Sequence, residues 1–401
     1  MDGTKWTGRT LPIFEETGCI YLDYNATTPI YPEVAEAMNP FLHKHFGNPS
    51  SKHIYGTKCH GAVEDARKQV AGLIGCSPSE IYFTSCGTES NNWAIWGSIA
   101  MARKRGLKCP HVVTSAVEHP AVLNYLIALK EQGLLTFTAV PVTEQGLVRP
   151  QDVIASIDPE STVLVSIMHS NNEVGAIQPL EEITAAVRQA TPQALIHCDG
   201  AQSLGKVSLN VQSLGVDMLS IVGHKLGAPK GVAALYIRSG VQLEPLLRGG
   251  GQEAGSRPGT ENVLQVVGLG MACEIARKEA TAIYQNMMQT REKLHECLIS
   301  GLGADSVHLN GPTDPSKRLP NTLNVSIDGL DSNKLLSGLG ETLAASAGSA
   351  CHSGEHSSSP VLEAMKVPGE AAKGTLRLST GRHTTLEDVA RAAEIIVQGV
   401  K

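Results

Sequence analysis

Ser220-Ile221-Val222-Gly223-His224-Lys225 is the stretch on which the reading of this 401-residue chain turns. The apolar run Met218 to Val222 has the length and content of a buried strand. It stops at a glycine, and an imidazole and an amine then follow side by side where the backbone must turn. A lysine at the end of a core strand is costly to bury, so it is either paired or used as a nucleophile. If its amine condenses with an aldehyde-bearing cofactor, a carboxylate should stand ready to hold a protonated ring nitrogen. Asp199, closing the apolar run Ala194-Leu195-Ile196-His197-Cys198, is in a position to be that carboxylate.

Outward from this pair, short β-rich runs alternate with helical patterns. Ile81–Thr84, His111–Ser115, Leu135–Val140, Thr162–Met168, Ala194–Cys198, Met218–Val222 and Val232–Ile237 read as seven strands. Gly61–Ile74, Asn92–Arg105, Ala121–Gln132 and Glu181–Gln189 carry helical spacing. This alternation predicts an α/β fold with parallel βαβ units and right-handed crossovers. Val232–Ile237 follows Lys225 too closely for a crossover, so that pairing is expected to be antiparallel. In such sheets the reactive groups gather beyond the carboxyl ends of the strands. After the glycine-rich Arg248-Gly249-Gly250-Gly251-Gln252, one long helical pattern from Val263 to Leu302 leads to a second unit. That unit would hold the strand-like Thr322–Ile327, a helix over Ser332–Leu339, a loop around Cys351, the strand-like Thr375–Ser379 and a last helix from Leu386. The Ser/Gly/His-rich passage Ser346–Ser359 reads as a mobile loop.

Several function classes are disfavoured by composition. A formal charge of −6 without a dense Lys/Arg run gives no footprint for nucleic acid. No apolar run approaches the ~20 residues of a membrane span, and Met1–Glu16 has neither signal-peptide nor transit-peptide character. Nine cysteines without a CxxC pair argue against a disulfide framework or structural zinc, and for a reducing compartment, the cytosol.

Other strand ends supply further chemistry. Thr84-Ser85-Cys86-Gly87-Thr88-Glu89-Ser90 lies between a strand and a helix, where backbone N–H groups, the Thr88 hydroxyl and the helix dipole would cradle a phosphate; the alternative is an ordinary N-cap. His119 follows another strand and could stack on a flat ring and pass protons. Asn172, in Ser170-Asn171-Asn172-Glu173-Val174-Gly175, could hydrogen-bond a phenolic oxygen, or simply form a turn. Arg377, a lone charge in Thr375-Leu376-Arg377-Leu378-Ser379, suits a carboxylate, unless it is an edge-strand arginine facing water. Eight of the nine cysteines fall in or beside apolar or helical patterns, or lack flexible neighbours, and read as small core hydrophobes. Cys351, in Gly348-Ser349-Ala350-Cys351-His352-Ser353-Gly354, is different: small neighbours and the histidines His352 and His356 suit an accessible nucleophilic thiol, and the spacing matches no strong zinc pattern.

Together these residues resemble the NifS-like cysteine desulfurase and selenocysteine lyase family. The resemblance runs from about Tyr21 to Val397. It rests on Tyr21-Leu22-Asp23-Tyr24-Asn25-Ala26-Thr27-Thr28-Pro29, Gly47-Asn48-Pro49-Ser50-Ser51, Gly87-Thr88-Glu89-Ser90-Asn91-Asn92, Val117-Glu118-His119, Gly223-His224-Lys225 and Gly348-Ser349-Ala350-Cys351. It implies the aspartate-aminotransferase-like fold (fold type I), with a large domain over 20–265 and a smaller one formed by 1–19 and 266–401. Pyridoxal 5'-phosphate would be the cofactor, with Lys225 as its Schiff-base lysine and Asp199 on its ring nitrogen. The resemblance further implies Gln202 and Asn172 at the phenolic oxygen or substrate, His119 over the ring, and Gly87, Thr88 and His224 at the phosphate. Thr260, in Arg257-Pro258-Gly259-Thr260-Glu261-Asn262, would reach a neighbouring subunit's phosphate, hence a homodimer. Arg377 would clamp the substrate carboxylate. Cys351 would take sulfur or selenium from L-cysteine or L-selenocysteine and pass it to an acceptor protein.

Two departures stand out. Cys86 occupies a position where many members have glycine, and Val222 one where desulfurases often place a phosphate-binding serine. Val222 and the Ala350-Cys351-His352-Ser353 loop resemble selenocysteine lyases, whereas the long Ser-rich loop resembles persulfide-delivering desulfurases. The rival readings are another fold-type-I reaction, such as transamination or β-elimination, and a non-catalytic cofactor-binding scaffold.

Overall fold

The computed structural model describes residues 12–347 and 359–401. Twelve strands follow in chain order: β1 (Ile20–Tyr21), β2 (Ile81–Thr84), β3 (His111–Ser115), β4 (Thr136–Val140), β5 (Thr162–Ser166), β6 (Leu195–Asp199), β7 (Met218–Val222), β8 (Ala233–Ile237), β9 (Val307–Leu309), β10 (Thr322–Ile327), β11 (Leu343–Ala344) and β12 (Thr375–Ser379). β2 to β8 form one sheet in the order β2-β8-β7-β6-β5-β3-β4. β8 runs antiparallel to both β2 and β7, as the short turn after Lys225 requires, and the other neighbours are parallel. Two reversals restore direction, so β2 points the same way as β3, β5, β6 and β7. Their carboxyl ends therefore open on one edge of the sheet, which brings together residues far apart in the chain.

The strands form where apolar, largely β-branched runs end in glycine or polar residues. β3, β7 and β8 are buried along their whole length, as expected for a sheet covered on both faces. One face packs on helices Ile54–Ile74 and Val263–Lys278 through Val63, Val70, Ile74, Leu269 and Cys273. The other meets helices Gly87–Lys104 and Pro120–Glu131 through Trp93, Ile95, Ile99, Val122 and Leu126. A separate core lies around the antiparallel sheet β12-β10-β9 and helices Ala280–Leu302 and Leu386–Val400. Ile20 and Leu22 join this second core, and β1 pairs with β11.

Three expectations are corrected. The single helical pattern from Val263 to Leu302 is two helices, parted at Glu279 (φ −105°, ψ 11°), whose carboxylate turns to Arg382 at 2.9 Å. Helix Ile54–Ile74 begins seven residues before the expected Gly61, capped by His53. Among the eight described cysteines only Cys59, Cys198 and Cys273 are buried, while Cys86 and Cys109 are exposed because both stand in connections at helix ends.

Candidate active site

Lys225 ends the short turn after β7, and its Nζ donates to the carbonyls of Asn25 (2.6 Å) and Ala26 (2.8 Å). Burial pushes its ammonium down to about 8, with the Arg377 charge adding to the shift and Asp199 and Asp23 opposing it. This amine thus gives up its proton near neutrality far more readily than an ordinary lysine, as a nucleophile or base requires. Asp199 closes the neighbouring strand β6 and is buried. Its Oδ2 accepts from Asn91 Nδ2 at 2.7 Å and its Oδ1 from the Ala201 N–H at 2.9 Å.

The expected phosphate loop starts helix Gly87–Lys104 directly, five residues before the helix predicted over Asn92–Arg105. Cys86 holds the N-cap position, yet its side chain caps none of the first amides. The Gly87 and Thr88 N–H groups therefore head an uncapped helix of 18 residues, a ready site for an anion. Ser85 is engaged elsewhere, its N–H and hydroxyl both donating to Glu89, which is in turn paired with Arg257 at 2.8 Å. Val222 closes the cup from the lysine side: a Cβ added to Gly87 would sit 2.6 Å from Val222 Cγ2. His224 Nδ1 lies 3.1 Å from Thr27 Oγ1, and burial lowers its pKa to about 4, so the ring is neutral.

His119 caps helix Pro120–Glu131, its Nδ1 accepting from the Ala121 N–H at 3.1 Å. The neutral ring accordingly keeps its proton on Nε2. Although His119 is exposed, desolvation by its surroundings lowers its pKa, with Lys225 adding to the fall and Asp199 opposing it. Behind it Glu118 is buried, and burial pushes its carboxyl up to about 8, the Asp199 charge reinforcing the rise. Glu118 Oε1 accepts from Ser115 Oγ (2.6 Å) and the Met168 N–H (2.9 Å).

Asn25 is a hub that sequence reasoning passed over. Its carbonyl accepts from both Lys225 and Gln202 (Nε2, 3.0 Å), and its Oδ1 accepts from Lys206 Nζ (2.8 Å) and Asn321 Nδ2 (3.0 Å). Its Nδ2 donates to the Asn172 carbonyl at 3.2 Å. Lys206, also unforeseen, is buried and donates to Gln202 Oε1 at 2.9 Å, which fixes the amide with its NH2 on the Asn25 side. Burial and the nearby Lys225 and Arg377 charges hold the Lys206 ammonium well below its ordinary pKa.

Arg377 comes from β12 of the second sheet and is buried rather than facing water, although β12 is an edge strand. Its Nη2 donates to Asp23 Oδ1 (2.8 Å) and Ser346 Oγ (2.9 Å), its Nη1 to the Asn172 carbonyl (3.3 Å), and its Nε meets no acceptor among the described residues. Thr260 is exposed and shares no hydrogen bond with this cluster. Cys351 lies outside the described residues. The flanks on either side of it are tied to the site: Ser346 by Arg377 and Asp23, and Ser359 by a hydrogen bond from its hydroxyl to Glu173, next to Asn172.

Residues 20–392 match the Aminotransferase class-V family. The chain belongs to that family. Class-V aminotransferases are pyridoxal-phosphate enzymes, and the residues present fit the cofactor: an uncapped helix N-terminus for its phosphate, a buried carboxylate two strand ends away, and an amine of lowered pKa between them. Asn91 Oδ1, buried beside Asp199 without a partner among the described residues, marks unmet polar capacity at the same place. Among class-V relatives, cysteine desulfurase IscS of Methanosarcina thermophila is 42% identical over 387 residues, covering 96% of this chain and 93% of its own length. A NifS-like protein of known structure superposes with a TM-score of 0.86 at 38% identity, covering 95% of this chain and 98% of its own. The structure of SspA in complex with cysteine superposes with a TM-score of 0.78 at 35% identity, over 91% and 99%. No helix among the described residues is long and apolar enough to cross a membrane.

Proposed function

We propose that this chain is a cysteine desulfurase that converts L-cysteine to L-alanine and leaves the sulfur as a persulfide on Cys351. The observation that carries the proposal is the convergence of the Lys225 amine, the buried Asp199 carboxylate and the uncapped Gly87 helix on one sheet edge, with Arg377 reaching in from the second sheet. Relatives named cysteine desulfurase at 42% identity, and the likeness to SspA in complex with cysteine, support it.

Pyridoxal phosphate, when bound, supplies the electron sink that makes the substrate α-proton acidic. The Gly87 and Thr88 amides, with the Thr88 hydroxyl and neutral His224, would hold its phosphate. Asp199 would hold a proton on its ring nitrogen, steadied by Asn91. His119 would lie on the ring, and Gln202 and Asn172 would meet the phenolic oxygen or substrate, Gln202 oriented by Lys206. Lys225 Nζ, unprotonated in part at neutral pH, would take the α-proton. Arg377, with Nε unengaged, would receive the substrate carboxylate.

Cys351 then attacks the substrate sulfur as thiolate. The new S–S bond forms as the Cβ–S bond breaks, and the electron pair of the broken bond takes up a proton at Cβ, so L-cysteine and one enzyme thiol become L-alanine and one enzyme persulfide. Cys351 stands five residues from Ser346, and five extended residues reach about 17 Å. The persulfide would pass to an acceptor protein, and the chemistry suits a reducing compartment such as the cytoplasm. A homodimer is part of this reading: Leu42, Phe46, Ile54 and Tyr55 are exposed apolar residues, and Thr260 is exposed as a residue reaching a second subunit would be.

The test is the product analysis of purified protein with L-cysteine, with L-selenocysteine alongside. Alanine in amounts matching sulfide under a reductant is expected, lost in Cys351→Ala and in Lys225→Ala. Pyruvate in place of alanine, or alanine from L-selenocysteine alone, would overturn the proposal.

A further inference from the structure

After β1 the chain turns through Asp23 to Thr28, and this turn lies directly against Lys225. The Ala26 N–H closes it on the Asp23 carbonyl, and the Thr28 N–H donates to the His224 carbonyl, both at 2.9 Å. Within it Asn25 is 1% exposed, and every polar atom it has is engaged. Its N–H donates to Ser379 Oγ at 2.9 Å. Its Nδ2 donates to Thr322 Oγ1 (2.8 Å) and to the Asn172 carbonyl (3.2 Å), while its Oδ1 accepts from Lys206 Nζ (2.8 Å) and Asn321 Nδ2 (3.0 Å). Both donors and both acceptor positions of the amide are thereby used. Lys206 can only donate and a carbonyl can only accept, so the amide has a single allowed orientation. The partners come from both cores: Lys206 follows β6, whereas Thr322 and Ser379 belong to β10 and β12 and Asn321 immediately precedes β10.

This clamp fixes a backbone carbonyl. The Asn25 oxygen accepts from Lys225 Nζ at 2.6 Å and from Gln202 Nε2 at 3.0 Å, and the Ala26 carbonyl meets Lys225 Nζ at 2.8 Å. Carbonyl acceptors steady an ammonium without the full charge of a carboxylate, so the amine they hold can still release its proton. We propose that Asn25 is a positioning residue for Lys225, its clamped carbonyl and that of Ala26 forming the seat in which the freed amine receives and holds the substrate α-proton. The inference rests on the reading of Lys225 as the base. In that step the N–H bond forms at Nζ as the Cα–H bond breaks, and the electron pair stays on the substrate side. The clamp also ties the seat to substrate recognition, because Arg377 Nη1 donates at 3.3 Å to the same Asn172 carbonyl that Asn25 Nδ2 uses. The group for the substrate carboxylate and the group for its α-proton are thus fastened to one asparagine.

The test compares full-length wild type with Asn25→Ala in two ways. The first is competitive acylation of Lys225 in the cofactor-free protein. Loosening the seat takes acceptors from the ammonium, so the midpoint should fall from about 8 by about one pH unit, the worth of one hydrogen bond to a charged group. The groups facing Lys225 stay in place in this variant: Arg377 from β12, Asp199 from β6, Asp23 from the turn, Lys206, and the neutral rings of His119 and His224. Thr322→Val keeps the shape and removes one acceptor of Nδ2; it should lower the midpoint by about half as much, and it carries the comparison if Asn25→Ala does not fold. A melting temperature that drops while the midpoint stays put in both variants would make Asn25 merely structural and overturn the proposal. The second is exchange of the α-hydrogen of L-alanine in D2O by protein loaded with pyridoxal phosphate, followed by NMR. Asn25→Ala should exchange roughly tenfold more slowly or worse, with alanine binding little changed. A loss of exchange matched by a loss of alanine binding would equally overturn it. A wild type that binds alanine and exchanges no α-hydrogen would instead strike Lys225 as base, a failure of the underlying reading that the cofactor-free midpoints keep separate from the seat.

Discussion

Gly87→Ala should damage cofactor binding through Val222, and the effect can be sized from the structure. An alanine Cβ at this position would lie 2.6 Å from Val222 Cγ2, where two carbons are at ease at about 3.5–4.0 Å. About 1 Å of room must be found. Val222 is 5% exposed at the end of a central strand and has little freedom to yield, so the first turn of the helix has to move instead. That turn carries the Gly87 and Thr88 amides. Overpacking of this kind costs about 1–3 kcal/mol, equivalent to a roughly 5- to 150-fold loss in affinity for pyridoxal phosphate. Thermal stability should change less, because alanine is the better helix former by about 1 kcal/mol. The assay is titration of the cofactor-free protein with pyridoxal phosphate, read by visible absorbance, in wild type, Gly87→Ala, Val222→Ala and the double variant. Val222→Ala should restore much of the affinity lost in Gly87→Ala. If Gly87→Ala binds within twofold of wild type, or loses equally in the Val222→Ala background, Val222 does not shape the phosphate cup.

Competitive acylation of Lys225 in the cofactor-free protein should give a midpoint near pH 8, rising in Arg377→Gln because one lowering charge is removed; an unchanged midpoint counts against the coupling between the two sheets. Glu118 and Glu173, pushed up to about 8 and about 7 by burial, favour the folded state most below the ordinary glutamate pKa and lose that contribution as pH rises through those values. Urea denaturation at pH 5 and pH 8 should therefore show a smaller drop in Glu118→Gln than in wild type. Arg382 joins Glu33 (2.9 Å) to Glu279 (2.9 Å) where the long helical pattern breaks. Arg382→Met should cost about 2–3 kcal/mol in urea denaturation, at the low end for a buried ion pair because Glu33 and Glu279 are partly exposed; a loss below about 1 kcal/mol would show the pair to be ornamental.

The large sheet was legible because its strands are short apolar runs bracketed by glycines and polar residues, and all seven stand within a residue or two of the expected limits. Lys225 and Asp199 were legible for a related reason: charged groups directly after buried strands have few structural explanations. Helix starts were harder to read. Ile54 and Tyr55 are exposed, so the first turn of their helix carries no core-facing spacing, and the turn from Gly87 to Ser90 has no apolar residue at all. The break at Glu279 depends on Arg382, more than a hundred residues away, which local periodicity cannot register. Asn25 and Lys206 escaped for the same reason, since their roles arise from contacts across 181 residues of chain. Arg377 shows the limit most clearly: an isolated arginine on an edge strand reads as a surface residue until the fold folds Asp23, Ser346 and Asn172 around it.

The most direct measurement of the central claim is where the sulfur goes. Protein loaded with pyridoxal phosphate is given L-cysteine without reductant, the exposed thiols are alkylated, and peptides are read by mass spectrometry. The account predicts one added sulfur on the peptide containing Cys351 and none in Lys225→Ala. Turnover of cysteine with the extra sulfur on another residue, such as the exposed Cys86 beside the phosphate loop, or on no cysteine at all, would contradict it.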